Sequence, residues 1–241
     1  MVPPTFDARI VRARPLSPSV RELAFARTDD APFEFDPGQW VSLVLEGPNG
    51  EIRRAYSIAS PPRHDATFDI AVTKVDAGLG SKLLHSLAIG DHVRVIGPQG
   101  FFTRPTAGGG APSLFIATGT GLAPLRSMMH AGAAGGAPLW LLFGAREEHD
   151  LLYQGDLSSL AAAHPNVRIE NTLSRGSEAW PGRRGYVQAH ARELYEELAS
   201  RSTVPPHVYI CGLERMVGAV RALFRQEVGL PRQLVHSERY D

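Results

Sequence analysis

Between the apolar run SLFIA and a helical pattern that begins near Pro124 stand Thr118, Gly119, Thr120 and Gly121. Glycines at that point strip side chains from a helix start, whose first backbone amides face outward with partial positive charge. A pyrophosphate settles on such amides, so the turn is a candidate dinucleotide site at the carboxyl end of a strand. A plain strand-to-helix turn has the same spacing, and a lone GxG does not separate the two. Cys211, the only cysteine, closes the apolar run HVYI and precedes Gly212. A lone thiol there is ordinarily core packing. Arg146, Ser174 with Arg175, and Arg183 with Arg184 follow later strand-like runs. Guanidinium forks match phosphate oxygens, and a ribose 2′-phosphate calls for such cations. Glu147 and Glu148 weigh the other way, because an acidic residue suits a free ribose hydroxyl.

The elements that must position these groups have two textures. Over residues 6–96 the runs ARIVRA, VRELAFA, WVSLVL, RAYSIA, TFDIAVTKV and HVRVI are broken by SPS, PGQ, GPNG, SPPRHD and IGD. This predicts an antiparallel β-barrel or sandwich. SKLLHSL, residues 81–87, has the apolar spacing of a short helix covering one end. RPTAGGGAP, residues 104–112, reads as a linker, with the division between residues 107 and 108. Beyond it SLFIAT, PLWLLFGA, NVRIENTL, HVYIC and a strand near QLVHS alternate with helices in LAPLRSMMHAGA, DLSSLAAAH, QAHARELYEELAS and residues 213–228. Such alternation predicts an α/β domain with a parallel sheet covered on both faces. A dinucleotide fold placed after a barrel is not the usual dehydrogenase order, so something is expected to bind between the two domains.

Composition excludes several classes. With 241 residues and 43% hydrophobic content the chain has enough apolar mass for globular cores. It shows no apolar run long enough for a signal peptide or a membrane span, which predicts a cytoplasmic protein without membrane contact. Its 25 basic and 25 acidic residues leave no global field for nucleic acid. One cysteine forms no internal disulfide and holds no iron–sulfur cluster, so any such centre belongs to a partner. The nine histidines form no HxH or HExxH grouping. No metal site is predicted, and His64, His85, His164 and His207 read as singles. Nor is there a GxSxG element to support serine hydrolysis.

RAYSIAS (54–60), GLGS (78–81), ATGTGLAP (117–124), CGLERM (211–216) and ERY (238–240) occur in that order. Together they resemble the ferredoxin–NADP reductase family, in which a flavin barrel precedes a nicotinamide domain. The resemblance implies that Arg54 pairs with the flavin pyrophosphate, Tyr56 packs on the ring system and Ser57 sits close to the hydride acceptor. Gly78, Gly80 and Ser81 would form a second anion site at a helix start, although Ser81 also suits a helix N-cap. Lys74 is a further candidate for cofactor binding. FAD is implied over FMN. Cys211, with Gly212, would pack against the nicotinamide, positioning it without nucleophilic attack. Tyr240 would stack on the flavin until displaced by the nicotinamide, and Glu238 would share a hydrogen-bond path with Ser57. An end of chain ordinarily frays, and Asp241 follows Tyr240 where the plant-type pattern stops at the aromatic residue. Ser174 with Arg175, and the spacing Arg184, Tyr186, Gln188, resemble the family's 2′-phosphate elements, which implies NADPH over NADH.

The function so implied is hydride transfer between NADPH and FAD, with single electrons passed to a separate ferredoxin, flavodoxin or other one-electron carrier by a monomeric enzyme. VRELAF and FDPGQW also resemble NADH-dependent reductase components of multicomponent oxygenases. An alternative of another class is a flavin-binding sensor or assembly subunit that does not turn over.

Overall fold

A computed structural model describes residues 3–76, 78–105 and 110–240. The expected division between residues 107 and 108 lies outside the described residues, as does Asp241.

The first sheet contains β1 (Thr5–Pro15), β2 (Val20–Arg27), β3 (Trp40–Gly47), β4 (Gly50–Ser57), β5 (Thr67–Thr73) and β6 (His92–Gln99). Its order is β4-β3-β6-β1-β2-β5, with antiparallel neighbours throughout. An isolated Ile58–Ile70 bridge joins the chain beyond β4 to β5, curling the sheet toward a barrel. Period-two alternation dictates which side is inside: Phe6, Ala8 and Ile10 are buried while Thr5, Asp7 and Arg9 are exposed. Phe25 stacks on Phe68 at 5.2 Å, and Phe33 lies 4.7 Å from Phe68. Each such pair contributes about 0.5–1.5 kcal/mol beyond area burial. The end-covering helix α1 (Leu79–Ser86) inserts Leu84 into this core. It starts two residues before the expected position. Gly78 is the N-cap, and Ser81 lies inside the first turn, so the expectation of Ser81 as N-cap is corrected.

The second sheet contains β7 (Ser113–Thr118), β8 (Leu139–Ala145), β9 (Val167–Leu173), β10 (Arg183–Arg184), β11 (His207–Leu213) and β12 (Val235–Tyr240). All neighbours run parallel in the order β10-β9-β8-β7-β11-β12. Phe115, Leu141 and Tyr209 point to the face covered by α2 (Leu122–Gly132) and α3 (Gln154–Ala163). Leu114, Ile116, Leu142 and Ile210 point to α4 (Gln188–Ser200) and α5 (Glu214–Ala222). Burial on both faces accounts for the near-continuous apolar runs of these strands. Val20, Ala59, Ala71 and Phe102 of the first domain join the core under α2, so the seam between domains is packed.

Three details of this sheet and its helices depart from expectation. The helix foreseen over residues 213–228 is α5 followed by a π turn at Leu223–Glu227. β10 was not foreseen, since two residues carry no periodicity. The strand expected near QLVHS is β12, which runs on through Glu238 to Tyr240 and pairs with β11 from Val208–Val235 to Leu213–Tyr240. His207 is not a single: its Nδ1 lies 2.9 Å from Nε2 of His236, whose ring stacks on Tyr209 at 4.5 Å. Among the described residues no helix is long and apolar enough to cross a membrane.

Candidate active site

Parallel register sets the site at the carboxyl ends of the second sheet. Cys211 on β11 stands between Ala117 on β7 and Glu238 on β12. Thr118 ends β7, and the chain turns at once through a 3₁₀ turn, Gly119–Gly121, into α2. The turn requires its glycines. A Cβ on Gly121 would collide with the backbone carbonyl of Cys211, and Gly212, at φ +149°, lies against Thr118 Oγ1. Pro124 falls in the first helical turn, where a missing amide hydrogen costs nothing. No side chain caps α2, and the Leu122 amide turns back onto the carbonyls of Gly119 and Thr120. Thr118 Oγ1 is buried without a hydrogen-bond partner, and a Cβ on Gly119 would meet nothing within 4 Å. An open turn at a helix start with an unpartnered hydroxyl beside it fits a dinucleotide pyrophosphate.

Across the seam, β4 delivers Ser57 opposite Trp40 of β3. Tyr240 donates its hydroxyl to Ser57 Oγ at 2.6 Å, and Ser57 donates to Glu238 Oε1 at 3.1 Å. Residues of both domains thus form one chain of hydroxyls ending on a carboxylate. Burial raises the Glu238 carboxyl above its ordinary range, against the Ser57 hydrogen bond that lowers it. The Tyr240 phenol is raised well above its ordinary value, first by burial and then by the neighbouring Cys211 and Glu238. Burial likewise pushes the Cys211 thiol far up, so it is neutral and not a nucleophile. Tyr56, desolvated, is raised to about 12.

A cleft of ≈ 230 Å³ opens at this junction, walled by Trp40, Tyr56 and Ser57 on one side and Glu238 and Tyr240 on the other. Flat aromatic walls with polar groups at one edge fit a flat heterocycle. Arg54 extends from β4 across α1, where a Cβ on Gly80 would come within 2.7 Å of Arg54 Cγ. Its one side-chain hydrogen bond is to the Arg53 carbonyl, and no acidic partner occurs among the described residues. An uncompensated guanidinium beside an uncapped helix start fits a flavin phosphate. The Ser81 hydroxyl, by contrast, is engaged within its own loop, accepting from Val75 N at 3.0 Å and donating to Gly78 O at 3.0 Å. It shapes the Gly78–Gly80 turn. Lys74 is exposed just after β5, its amide bound to Ser19 O at 2.8 Å.

At the same carboxyl ends, toward the β10 edge of the sheet, Arg175 N donates to Arg146 O at 2.8 Å and Ser174 N to Ala145 O at 3.1 Å. The pairing of β8 with β9 thus continues past the strand ends and brings exposed Arg146 and Arg175 together. Arg184 is held differently: its guanidinium donates to the carbonyls of Gly176, Ser177, Glu178 and Trp180, ordering the loop beyond Arg175. β10 pairs Arg184 with Leu173, and exposed Tyr186 and Gln188 follow, Gln188 opening α4. Glu148, which argued against a phosphate, accepts from Ser177 N and Oγ, and that hydroxyl holds its carboxyl below the usual range. Sequence reasoning missed Trp40, whose signal was an aromatic residue directly after the PGQ turn. It also missed Arg126, an arginine inside an apolar helical pattern.

Residues 7–103 match the oxidoreductase FAD-binding domain family and residues 115–222 the oxidoreductase NAD-binding domain family. The chain is 57% identical over 239 residues to ferredoxin–NADP reductase B of Sorangium cellulosum, covering 98% of each protein. It is 33% identical over 226 residues to the toluate 1,2-dioxygenase electron transfer component of Pseudomonas putida, covering 92% of this chain but 64% of that protein. Among solved structures, the Amycolatopsis cytochrome P450 reductase GcoB superposes with a TM-score of 0.84 at 28% identity, covering 98% of this chain and 70% of that one. With an FAD-binding barrel, a nucleotide-binding parallel sheet and both motif sets at their seam, the chain belongs to the ferredoxin–NADP reductase family of oxidoreductases.

Proposed function

We propose that this protein is an FAD-containing reductase that moves hydride between NADPH and FAD and exchanges single electrons with a separate ferredoxin- or flavodoxin-type carrier. Residues up to 107 hold the flavin in this reading, and residues from 108 hold the dinucleotide. The observation that carries it is the hydrogen-bonded contact of Tyr240 and Glu238 with Ser57 inside an aromatic cleft at the domain seam. FAD, when bound, supplies the redox chemistry: it accepts two electrons together and releases them singly.

The chain's own residues do the rest. Arg54 and the amides at the start of α1 bind the flavin phosphates; Trp40 and Tyr56 flank the ring. Gly119–Gly121 and Thr118 bind the pyrophosphate of the dinucleotide. Arg146 and Arg175 recognise the 2′-phosphate, with Arg184 holding their loop in shape. Tyr240 closes the cleft against water until the nicotinamide takes its place beside Cys211, and Ser57 with Glu238 holds a proton-bearing hydrogen bond at the reacting edge. Orientation and exclusion of water are therefore the protein's main contribution. A single buried thiol suits a reducing compartment such as the cytoplasm, and the working unit is a monomer.

The test is the visible spectrum of the purified protein, followed by anaerobic addition of NADPH and then NADH. Bound flavin bleached faster by NADPH is the expected result. A colourless chain that takes up no FAD overturns the reading, and preference for NADH favours an oxygenase-type reductase. That second reading draws on the similarity to the toluate dioxygenase component.

A further inference from the structure

Arg126 lies in the middle of α2 and is only 6% exposed. Its Nε and one terminal nitrogen donate to the two carboxylate oxygens of Asp156, at 2.7 and 3.0 Å. The other terminal nitrogen reaches across the seam to the carbonyl of Ala59, at 2.6 Å and 67 residues away in sequence. The guanidinium also lies 4.5 Å from the ring centroid of Tyr153, which holds a left-handed φ of 56° directly before α3. His130 Nε2 adds a contact to Asp156 at 2.9 Å. Burial works against ionisation of Asp156, yet the hydrogen bonds from His130 and Arg126 outweigh it and hold its carboxyl well below the usual range.

The two ends of this network are not arbitrary. Ala59 follows Ser57 by two residues, and its own amide is tied to Asp69 O at 2.7 Å. Arg126 follows Gly121 by five residues on the helix that the nucleotide turn opens. One rigid guanidinium therefore links the strand end that carries Ser57 to the helix whose start faces the dinucleotide. Thr73 Oγ1 at the end of β5 and Thr120 Oγ1 in the nucleotide turn, 3.3 Å apart, make a second tie between the two domains. A buried ion pair contributes little net stability compared with apolar packing of equal volume. A planar fork with fixed donor directions does restrict relative orientation.

We propose that Arg126 is a positioning residue for hydride transfer: by clamping Ala59 to Asp156 it sets the approach of the dinucleotide turn to the Ser57 edge. This rests on the functional reading above and adds a residue whose side chain touches neither ligand there. Arg126→Met removes the fork and keeps the apolar stem; Arg126→Lys restores charge with a single reach.

The purified, flavin-loaded variants are reduced anaerobically with NADPH in a stopped-flow instrument. Separately, dithionite-reduced protein is reoxidised with ferricyanide. In Arg126→Met the reduction rate at saturating NADPH is expected to fall about 10–100-fold, with KM within about twofold, an unchanged flavin spectrum and an unchanged reoxidation rate. Arg126→Lys recovers part of the loss. Small-angle X-ray scattering and hydrogen exchange, both without nucleotide, are expected to show a larger radius of gyration and faster exchange at Ile58 and Ala59 in Arg126→Met. If that variant fails to fold, Asp156→Asn, which weakens the same fork, carries the same comparisons with a smaller effect. Wild-type reduction rate in the variants, or equal slowing of both half-reactions, overturns the proposal. Failure of the wild type to be reduced by NADPH overturns the functional reading instead, and scattering and exchange still decide whether Arg126 clamps the seam.

Discussion

The phenol of Tyr240 donates to Ser57 Oγ at 2.6 Å although the residues stand 183 positions apart and belong to different sheets. Ser57 in turn donates its hydroxyl hydrogen bond to Glu238 Oε1, so one hydroxyl is acceptor and donor at once. Much of what the protein is expected to do depends on that small group.

Removal of the Ser57 hydroxyl by Ser57→Ala leaves the Tyr240 hydroxyl and the Glu238 carboxylate without it in a partly buried cleft. The loss costs about 1–3 kcal/mol of stability. Flavin reduction by NADPH is expected to slow by about 100-fold, because the hydroxyl that joins Tyr240 to Glu238 at the reacting edge has gone. Stopped-flow absorbance and a thermal melt measure both effects. Ser57→Thr, which keeps a hydroxyl, is expected to retain more activity, and equal rates for the two variants would count against the hydroxyl's role.

Glu238 gives a pH dependence whose sign follows from its raised pKa. The folded protein binds this proton more tightly than the unfolded chain, so stability falls as pH rises from the ordinary value of 4.5 through the higher folded value. Glu238→Gln keeps an acceptor for Ser57 and removes that liability. Its melting temperature is expected to exceed the wild type's by about 1–3 °C at neutral pH and to converge with it in acid. A gap that widens in acid would contradict the assignment.

Cys211 is buried and its thiol is held neutral. Iodoacetamide is expected to leave the native protein unmodified at neutral pH and to alkylate it fully in denaturant. Mass spectrometry of the two samples decides. Rapid labelling of the native protein would mean that the carboxyl end of β11 is open to solvent.

Arg175→Ala and Arg146→Ala each remove an exposed cation with no acidic partner among the described residues. Each is expected to lower kcat/KM for NADPH by about 10–150-fold, the worth of a charge-assisted hydrogen bond, and to leave NADH nearly unchanged. Arg184→Ala acts through its loop, so its effect on NADPH comes with faster proteolysis near Ser177. Steady-state kinetics with both dinucleotides separates these outcomes; equal use of NADPH and NADH by the wild type would refute the specificity.

The positions of strands and helices were legible because alternation and helical spacing are local signals. Both sheets and every long helix fall on the runs read from sequence. Where signals were short or competing, the reading slipped: β10 is too brief to show a period, and Ser81 resembles a cap while its hydroxyl folds back on Val75 and Gly78. His207 was read as a single because nothing local announces that β11 and β12 pair in the register that brings it to His236.

By itself, then, the order of residues determined which backbone segments become strands, which helix starts lack side chains, and which arginines are available for phosphate. These are properties of a segment and its immediate neighbours. Tertiary packing alone decided that Tyr240 meets Ser57, that Arg184 is occupied with carbonyls while Arg146 and Arg175 are not, and that Arg126 closes on Ala59. Those relationships join residues from separate elements, and no local pattern carries the distance between them.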